Sequence, residues 1–262
     1  MIGINLDCYR VAPLSVEEQV ELMKKYGFDY TSEVTEKPDV EKKIEKVLEM
    51  GFKFAYLHGP LIDLNDMWGT GEEAEKMYEN MCYGVSLCAK YNIPIFVAHL
   101  SVGRQYPPVN DEGMARYDRF LAFAKEKGIK VAFENSRCIG NLAIMLENRE
   151  EVGFCWDVGH EYCYTPGMHF LPYFADKLTM IHLHDNMCVY EGDDHMIPFD
   201  GKIDMVQKAK ELGEANYQAP VMLELVTAYS EEYQKMTPDE FYKRAADAAK
   251  RFEGIINENR KD

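Results

Sequence analysis

The sequence predicts an α/β fold, a single (β/α)8 barrel running from residue 1 to residue 262. Three observations lead there. Short β-rich runs alternate with longer helical patterns from end to end, the order expected of a parallel sheet with crossover helices. The alternation repeats eight times, with no linker or low-complexity segment to interrupt it. The competing open doubly wound sheet usually carries a glycine-rich phosphate turn after its first strand, and "LDCYRVAP" stands there instead.

In chain order the expected strands are "IGINL" (2–6), "FDYTSEV" (28–34), "KFAYLH" (53–58), "PIFVAHL" (94–100), "KVAFE" (130–134), "GFCWD" (153–157), "LTMIHL" (178–183) and "PVMLEL" (220–225). Helical patterns such as "SVEEQVELMKKYG", "DVEKKIEKVLEMG" and "TPDEFYKRAADAAKRFEG" lie between or after them, each opening near Ser, Asp or Thr and closing on Gly.

At 47% hydrophobic residues the chain can bury a large core. A formal charge of −16 disfavours attraction to nucleic acid or an anionic membrane, so the expected partner is a small molecule. Seven cysteines, an odd number without a CxxC pair, read as reduced thiols rather than a disulfide framework. Asp7 and Arg10 interrupt the start of the chain before a signal-length apolar stretch, and no apolar run reaches spanning length. The expectation is a soluble, cytoplasmic protein, with homo-oligomerisation left open.

In such a barrel, residues at strand ends converge on one site. Here strand three ends in His58, strand four in His99, strand five in Glu134, strand six in Asp157 with His160 three residues on, strand seven in His182 and strand eight in Glu224. The long loop after strand seven adds Asp193 and His195, while His169 alone among the seven histidines belongs to a connecting helix. So many imidazoles and carboxylates on one rim would crowd negative charge and leave ring nitrogens unpaired; a divalent cation resolves both problems.

Glu134, Asp157, His182 and Glu224 supply one nitrogen and three carboxylates, a hard set suited to Mn²⁺ or Mg²⁺, with Zn²⁺ or Co²⁺ possible. The remaining histidines offer softer nitrogen that favours Zn²⁺, so the metal stays open. In "MIHLHDN", alternation places His182 and His184 on the same side of the strand, His182 deeper as the ligand and His184 one layer higher, supporting a ligand or facing substrate. Asp185 is expected to orient a neighbour.

Taken in order, these residues resemble the xylose-isomerase-like barrel superfamily, which includes sugar isomerases, epimerases and endonuclease IV. Its epimerase branch implies one divalent cation on Glu134, Asp157, His182 and Glu224, with the two glutamates shuttling a proton between adjacent sugar carbons and His160 on a substrate oxygen. Its endonuclease branch implies three zinc ions on a wider set carried by "LHGP" (His58), "VAHL" (His99), "FEN" (Glu134), "WDVGH" (Asp157, His160), "IHLHD" (His182), "DDH" (Asp193, His195) and "LEL" (Glu224).

Two departures bear on the choice. The arginine that epimerases place shortly after the strand-seven histidine is absent from "HDNMCVYEG", and the rim loops "DLNDMWGTGEE", "YEGDDHMIPFDG" and "SEEYQ" are acidic where a duplex-gripping enzyme needs cations.

The leading expectation is a metal-dependent sugar or keto-polyol isomerase or epimerase working by enediolate proton transfer, with Glu134 and Glu224 catalytic. His58, His99, His160, His184, Arg137 and His195 are the candidate substrate contacts. The alternatives are a zinc phosphodiesterase on abasic DNA, with His58, His99, His160, Asp193 and His195 as further ligands, and a non-catalytic metal-dependent sugar-binding barrel. Tyr9, Trp68, Tyr106, Tyr162, Tyr164 and Tyr229 could stack on a sugar face or simply cover the core, and Arg10, Arg104 and Arg137 could clamp an anionic group or be solvated. The "PFDG" turn is expected to fold its loop over the barrel mouth so that His195 faces inward.

Overall fold

Eight parallel strands close into a barrel in sequence order, with β8 returning to pair with β1. The computed structural model describes residues 1–261. The strands are β1 (Ile2–Asn5), β2 (Tyr30–Val34), β3 (Lys53–His58), β4 (Ile95–Ala98), β5 (Lys130–Glu134), β6 (Gly153–Asp157), β7 (Leu178–Leu183) and β8 (Val221–Leu223). Around them run α1 (Val16–Tyr26), α2 (Val40–Glu49), α3 (Glu72–Lys90), α4 (Asp111–Glu126), α5 (Ile139–Glu147), the short α6 (Val158–Cys163) and α7 (Leu171–Phe174), α8 (Met205–Glu214) and α9 (Pro238–Glu258).

The predicted helix signals work where a side chain reaches an orphan backbone N–H. Ser15 and Thr237 each close a reciprocal capping box with a glutamate three residues on, Glu18 and Glu240, and Gly27 ends α1 in the left-handed region. Gly254 does not end α9, which continues to Glu258 because Phe252 and Ile256 extend its buried stripe past the glycine. Asp39 precedes α2 without a side-chain cap, its own backbone being left-handed at φ 58°.

Tyr56, Val97, Ala132, Cys155, Met180 and Met222 fill the barrel interior, and a larger apolar layer separates strands from helices. Strands one, two, four and eight are shorter than the sequence predicts, so His99 and Glu224 stand one residue beyond β4 and β8. At β8 the reason is local: the Asn5 side chain takes both backbone groups of Leu225, Nδ2 donating to its carbonyl at 3.1 Å and Oδ1 accepting its N–H at 2.9 Å, where a ladder partner would otherwise stand. All seven cysteines are free thiols. No described helix is long and apolar enough to cross a membrane.

Candidate metal centre

Parallel register sets the site. Asp157 at the end of β6 lies beside His182 of β7, and Glu134 ends β5 beside Cys155, two residues before Asp157. His182 pairs with Met222, two residues before Glu224, so the period of two turns all four side chains into the barrel mouth. Their donor atoms lie within 4.8 Å of one another. His182 Nδ1 is 2.9 Å from Glu224 Oε2, 3.1 Å from Glu134 Oε2 and 4.0 Å from Asp157 Oδ2.

In each residue of this group one atom facing the others, Glu134 Oε1, Asp157 Oδ2, His182 Nδ1 and Glu224 Oε2, is buried without any hydrogen-bond partner, as is the far ring nitrogen of His182, Nε2. Orphaned polar atoms of this kind cost on the order of 1–3 kcal/mol each, and three facing carboxylates add repulsion. A divalent cation satisfies all four at once, so the residues fit the metal their chemistry implies. Glu224, at 27% side-chain exposure, is the member that opens to solvent; the others are at 1% or less.

The remaining predicted histidines crowd the same mouth. His58 and His99 place Nε2 at 3.2 and 3.1 Å from Glu134 Oε2. His160 lies on α6, whereas His169, the histidine expected on a connecting helix, stands before α7 outside any helix: Asp157 caps α6 by accepting the His160 N–H on Oδ1 at 2.6 Å, which aims the His160 ring back at the site. Its Nδ1 lies 3.0 Å from Glu134 Oε1. The His195 side chain, 11% exposed, lies against Asp193, 3.2 Å away, and faces inward. His184 is fully buried, stacked on His195 with ring centroids 4.2 Å apart.

Burial pushes the Glu134 carboxyl upward, but the His182, His99 and His160 rings outweigh it and hold its pKa well below the usual carboxylate range. Burial likewise opposes charge on His160 and His195, yet Asp157 and Asp193 raise the former well above an ordinary imidazole, and Asp193 with Glu224 carries the latter up to about 9.

Arg137 is committed to the rim. Its guanidinium lies 3.5 Å above the Tyr164 ring and donates twice to Glu191, through Nε at 3.0 Å and Nη2 at 2.5 Å. Exposed Arg104 joins the same carboxylate at 3.5 Å, while Arg10 donates Nε to the Asp7 carbonyl away from the cluster. Of the aromatic candidates, Tyr164 lies tilted against His160 with ring centroids 4.7 Å apart and donates to Asp193 Oδ2 at 2.9 Å, and the exposed Tyr229 ring lies 6.0 Å from His195. Trp68 and Tyr9 are buried and donate to the Leu100 and Met236 carbonyls, Tyr162 lies over Lys208, and Tyr106 is exposed. His169 lies outside, beside Glu161.

Three contributors were missed. Asn135 bridges β5 and β6, accepting the Asp157 N–H and donating to the Asp157 carbonyl, both at 2.8 Å. Tyr56 stacks beneath His182 at 5.0 Å, and the strand period that pairs it with His58 was a usable signal. Gly159 leaves room for His184, since a Cβ there would meet its Cε1 at 1.9 Å; nothing in the sequence pattern announces that contact.

The chain matches the xylose isomerase-like TIM barrel family over residues 20–252. It belongs to that family. Protein y4fM of Sinorhizobium fredii (strain NBRC 101917 / NGR234), itself uncharacterised, is 27% identical over 188 residues, which cover 66% of this chain. This chain spans 58% of the length of that relative.

Among solved structures, D-psicose 3-epimerase with D-tagatose from Clostridium cellulolyticum H10 superposes with a TM-score of 0.76 at 12% identity, covering 97% of this chain and 98% of that one. A D-tagatose 3-epimerase-like protein gives 0.76 at 18%, covering 98% of each. The IOLI protein with a bound zinc atom gives 0.76 at 19%, with both chains covered completely.

Proposed function

We propose that the protein is a divalent-metal-dependent isomerase or epimerase of sugars or keto-polyols, with Glu134, Asp157, His182 and Glu224 as ligands and the two glutamates as the proton-transfer pair. The observation that carries this reading is the set of four orphaned donor atoms, one from each of these residues, at the mouth of the barrel. A bound cation would polarise a substrate carbonyl and its neighbouring hydroxyl and so acidify the C–H between them.

The protein's own part is placement. Glu134 and Glu224 come from β5 and from just past β8, so they approach His182 from different sides of the ring of strands. One carboxylate removes the proton and the other returns it on the opposite face, a contribution of roughly 10²- to 10⁴-fold. Asn135 and the α6 cap hold Asp157 at its backbone and at Oδ1, which leaves Oδ2 free. The fold neighbours that act on D-tagatose and D-psicose, and the zinc in the IOLI protein, support the reading without fixing the substrate or the metal. Because Arg137 is tied to Glu191 and Tyr164, we assign it to holding the rim and leave substrate contact to the histidines and the exposed edge of Glu224.

The test is solvent exchange. With Mn²⁺, Mg²⁺, Co²⁺ or Zn²⁺ supplied, the protein is expected to move deuterium from D2O onto the carbon beside the carbonyl of a ketose or keto-polyol, read by NMR or mass spectrometry. Glu134→Gln and Glu224→Gln should each slow that exchange by roughly 10²-fold or more. No exchange across a panel of such substrates with every metal, together with incision of abasic duplex DNA, would replace this reading with the phosphodiesterase.

A further inference from the structure

Of the histidines at the barrel mouth, His58, His160, His184 and His195 have their rings held by a backbone carbonyl. Nδ1 lies 2.8 Å from the Gly59 carbonyl oxygen in His58, 3.0 Å from that of Asn135 in His160, 2.9 Å from that of Glu224 in His195 and 3.4 Å from that of Asp185 in His184. Fixing a ring by its far N–H is the usual way a protein orients a metal-binding histidine. His182, the single nitrogen donor of the four-residue group, has no such anchor. Its side chain is fully buried, Nδ1 is turned to the Glu134 and Glu224 carboxylates, and Nε2 has no hydrogen-bond partner.

What holds the His182 ring is packing from the opposite strand. In the closed ring of strands β3 stands diametrically across from β7. The period of two turns Tyr56 and His58 of β3 to the interior together. The Tyr56 ring lies against the His182 imidazole with centroids 5.0 Å apart and planes 27° apart, and the His58 ring lies tilted against it at 5.8 Å. Reaching across the barrel takes a long, flat side chain. The interior residues from β4 and β5, Val97 and Ala132, are small, and the Tyr56 ring takes the volume they leave. Tyr56 is itself buried, so close packing leaves its ring no room to turn aside. The interior residues from β6, β7 and β8, Cys155, Met180 and Met222, offer only sulfur, a weak acceptor, so no strong hydrogen bond substitutes for the stack.

We infer that Tyr56 is a positioning residue for the metal centre: its ring, stacked on the imidazole, fixes the plane of His182 and with it the aim of Nδ1, in place of a hydrogen bond to Nε2. The inference rests on the four-donor centre of the proposed function and not on its substrate. The torsion that turns an imidazole about its Cβ–Cγ bond is broad and soft, so a ring without a hydrogen bond keeps its orientation only if a flat neighbour confines it. The aromatic plane of Tyr56 does this, and the phenol hydroxyl has no part in it. A flexible side chain of similar bulk fills the space and lets Nδ1 swing away from the carboxylates.

The test is Co²⁺ binding by protein freed of metal, titrated against a competing chelator and followed by the visible absorption of the bound ion. Asp157→Ala identifies the centre as the equivalent of Co²⁺ that it loses. For that equivalent, Tyr56→Phe, which keeps the plane, should retain the parent's affinity and band shape. Tyr56→Leu should bind roughly 10- to 100-fold more weakly, the range for losing a partner that orients a ligand, and with a shifted band. Tyr56→Met keeps more of the volume without a plane and takes the same part if Tyr56→Leu does not fold. Thermal melts of the metal-free variants separate lost packing from lost orientation, because a merely structural role lowers the melting temperature and leaves the band unmoved. Parent-like affinity and band in Tyr56→Met, whatever its melting temperature, would overturn the inference and leave the metal centre intact. Equal weakening in Tyr56→Phe would overturn it by giving the role to the hydroxyl. A full complement of Co²⁺ in Asp157→Ala would overturn the metal centre itself, and this inference with it.

Discussion

At the scale of single residues, the site depends as much on what is small as on what is charged. Gly159 sits in "WDVGH" because its missing side chain makes room for the His184 ring, and that ring cannot retreat, being stacked against His195. Gly159→Ala forces a methyl to within 1.9 Å of His184 Cε1 and 2.4 Å of both ring nitrogens. Overpacking of this kind costs about 1–3 kcal/mol, so the variant should melt several degrees below the parent in circular dichroism. An unchanged melting temperature would mean that His184 moves freely, and would remove the basis for treating it as fixed.

At the scale of elements, the loop from β7 to α8 is organised by one buried carboxylate. Asp185 accepts four backbone N–H groups: Asn186 at 2.8 Å and Ile203 at 3.1 Å on Oδ1, Phe199 and Gly201 at 3.0 Å on Oδ2. An isolated backbone bridge between Asp185 and Met196 completes the fold-back. The "PFDG" turn thus closes on Asp185, and His195 is presented inward as a consequence. Asp185→Ala leaves four N–H groups without their acceptor and should destabilise by at least about 3 kcal/mol, with Asp185→Asn in between because it keeps one acceptor oxygen. Urea unfolding midpoints and protease cleavage within 186–203 check this; a loop as resistant in Asp185→Ala as in the parent would contradict the assignment.

At the scale of the whole molecule, net charge separates the two enzyme chemistries that one donor set can serve. The formal charge is −16, and two cations of the site loops, Arg137 and Arg104, share the Glu191 carboxylate. Few phosphates could be neutralised, so affinity for duplex DNA bearing an abasic site should be weak at physiological salt and only shallowly salt-dependent. Fluorescence anisotropy with labelled duplex measures both. Tight binding with a steep salt slope would reverse the ranking of isomerase over phosphodiesterase.

Read by itself, the sequence determined the eight-fold βα alternation, the barrel and the ring of donors at its mouth. Strand ends are legible because apolar runs and turn residues are local signals, and a closed parallel barrel turns position along the chain into position on a rim. Glu134, Asp157, His182 and Glu224 could be gathered on paper for that reason. Only the tertiary structure decided that His184 packs beneath His195, that Asn135 clamps Asp157, that Arg137 is committed to Glu191 and Tyr164, and that Asp185 carries the loop. Each of these is a contact between segments whose separation along the chain or bend in the backbone leaves no periodic trace, and each is fixed by close packing and by the need to satisfy every buried polar group, conditions that exist only once the barrel has closed.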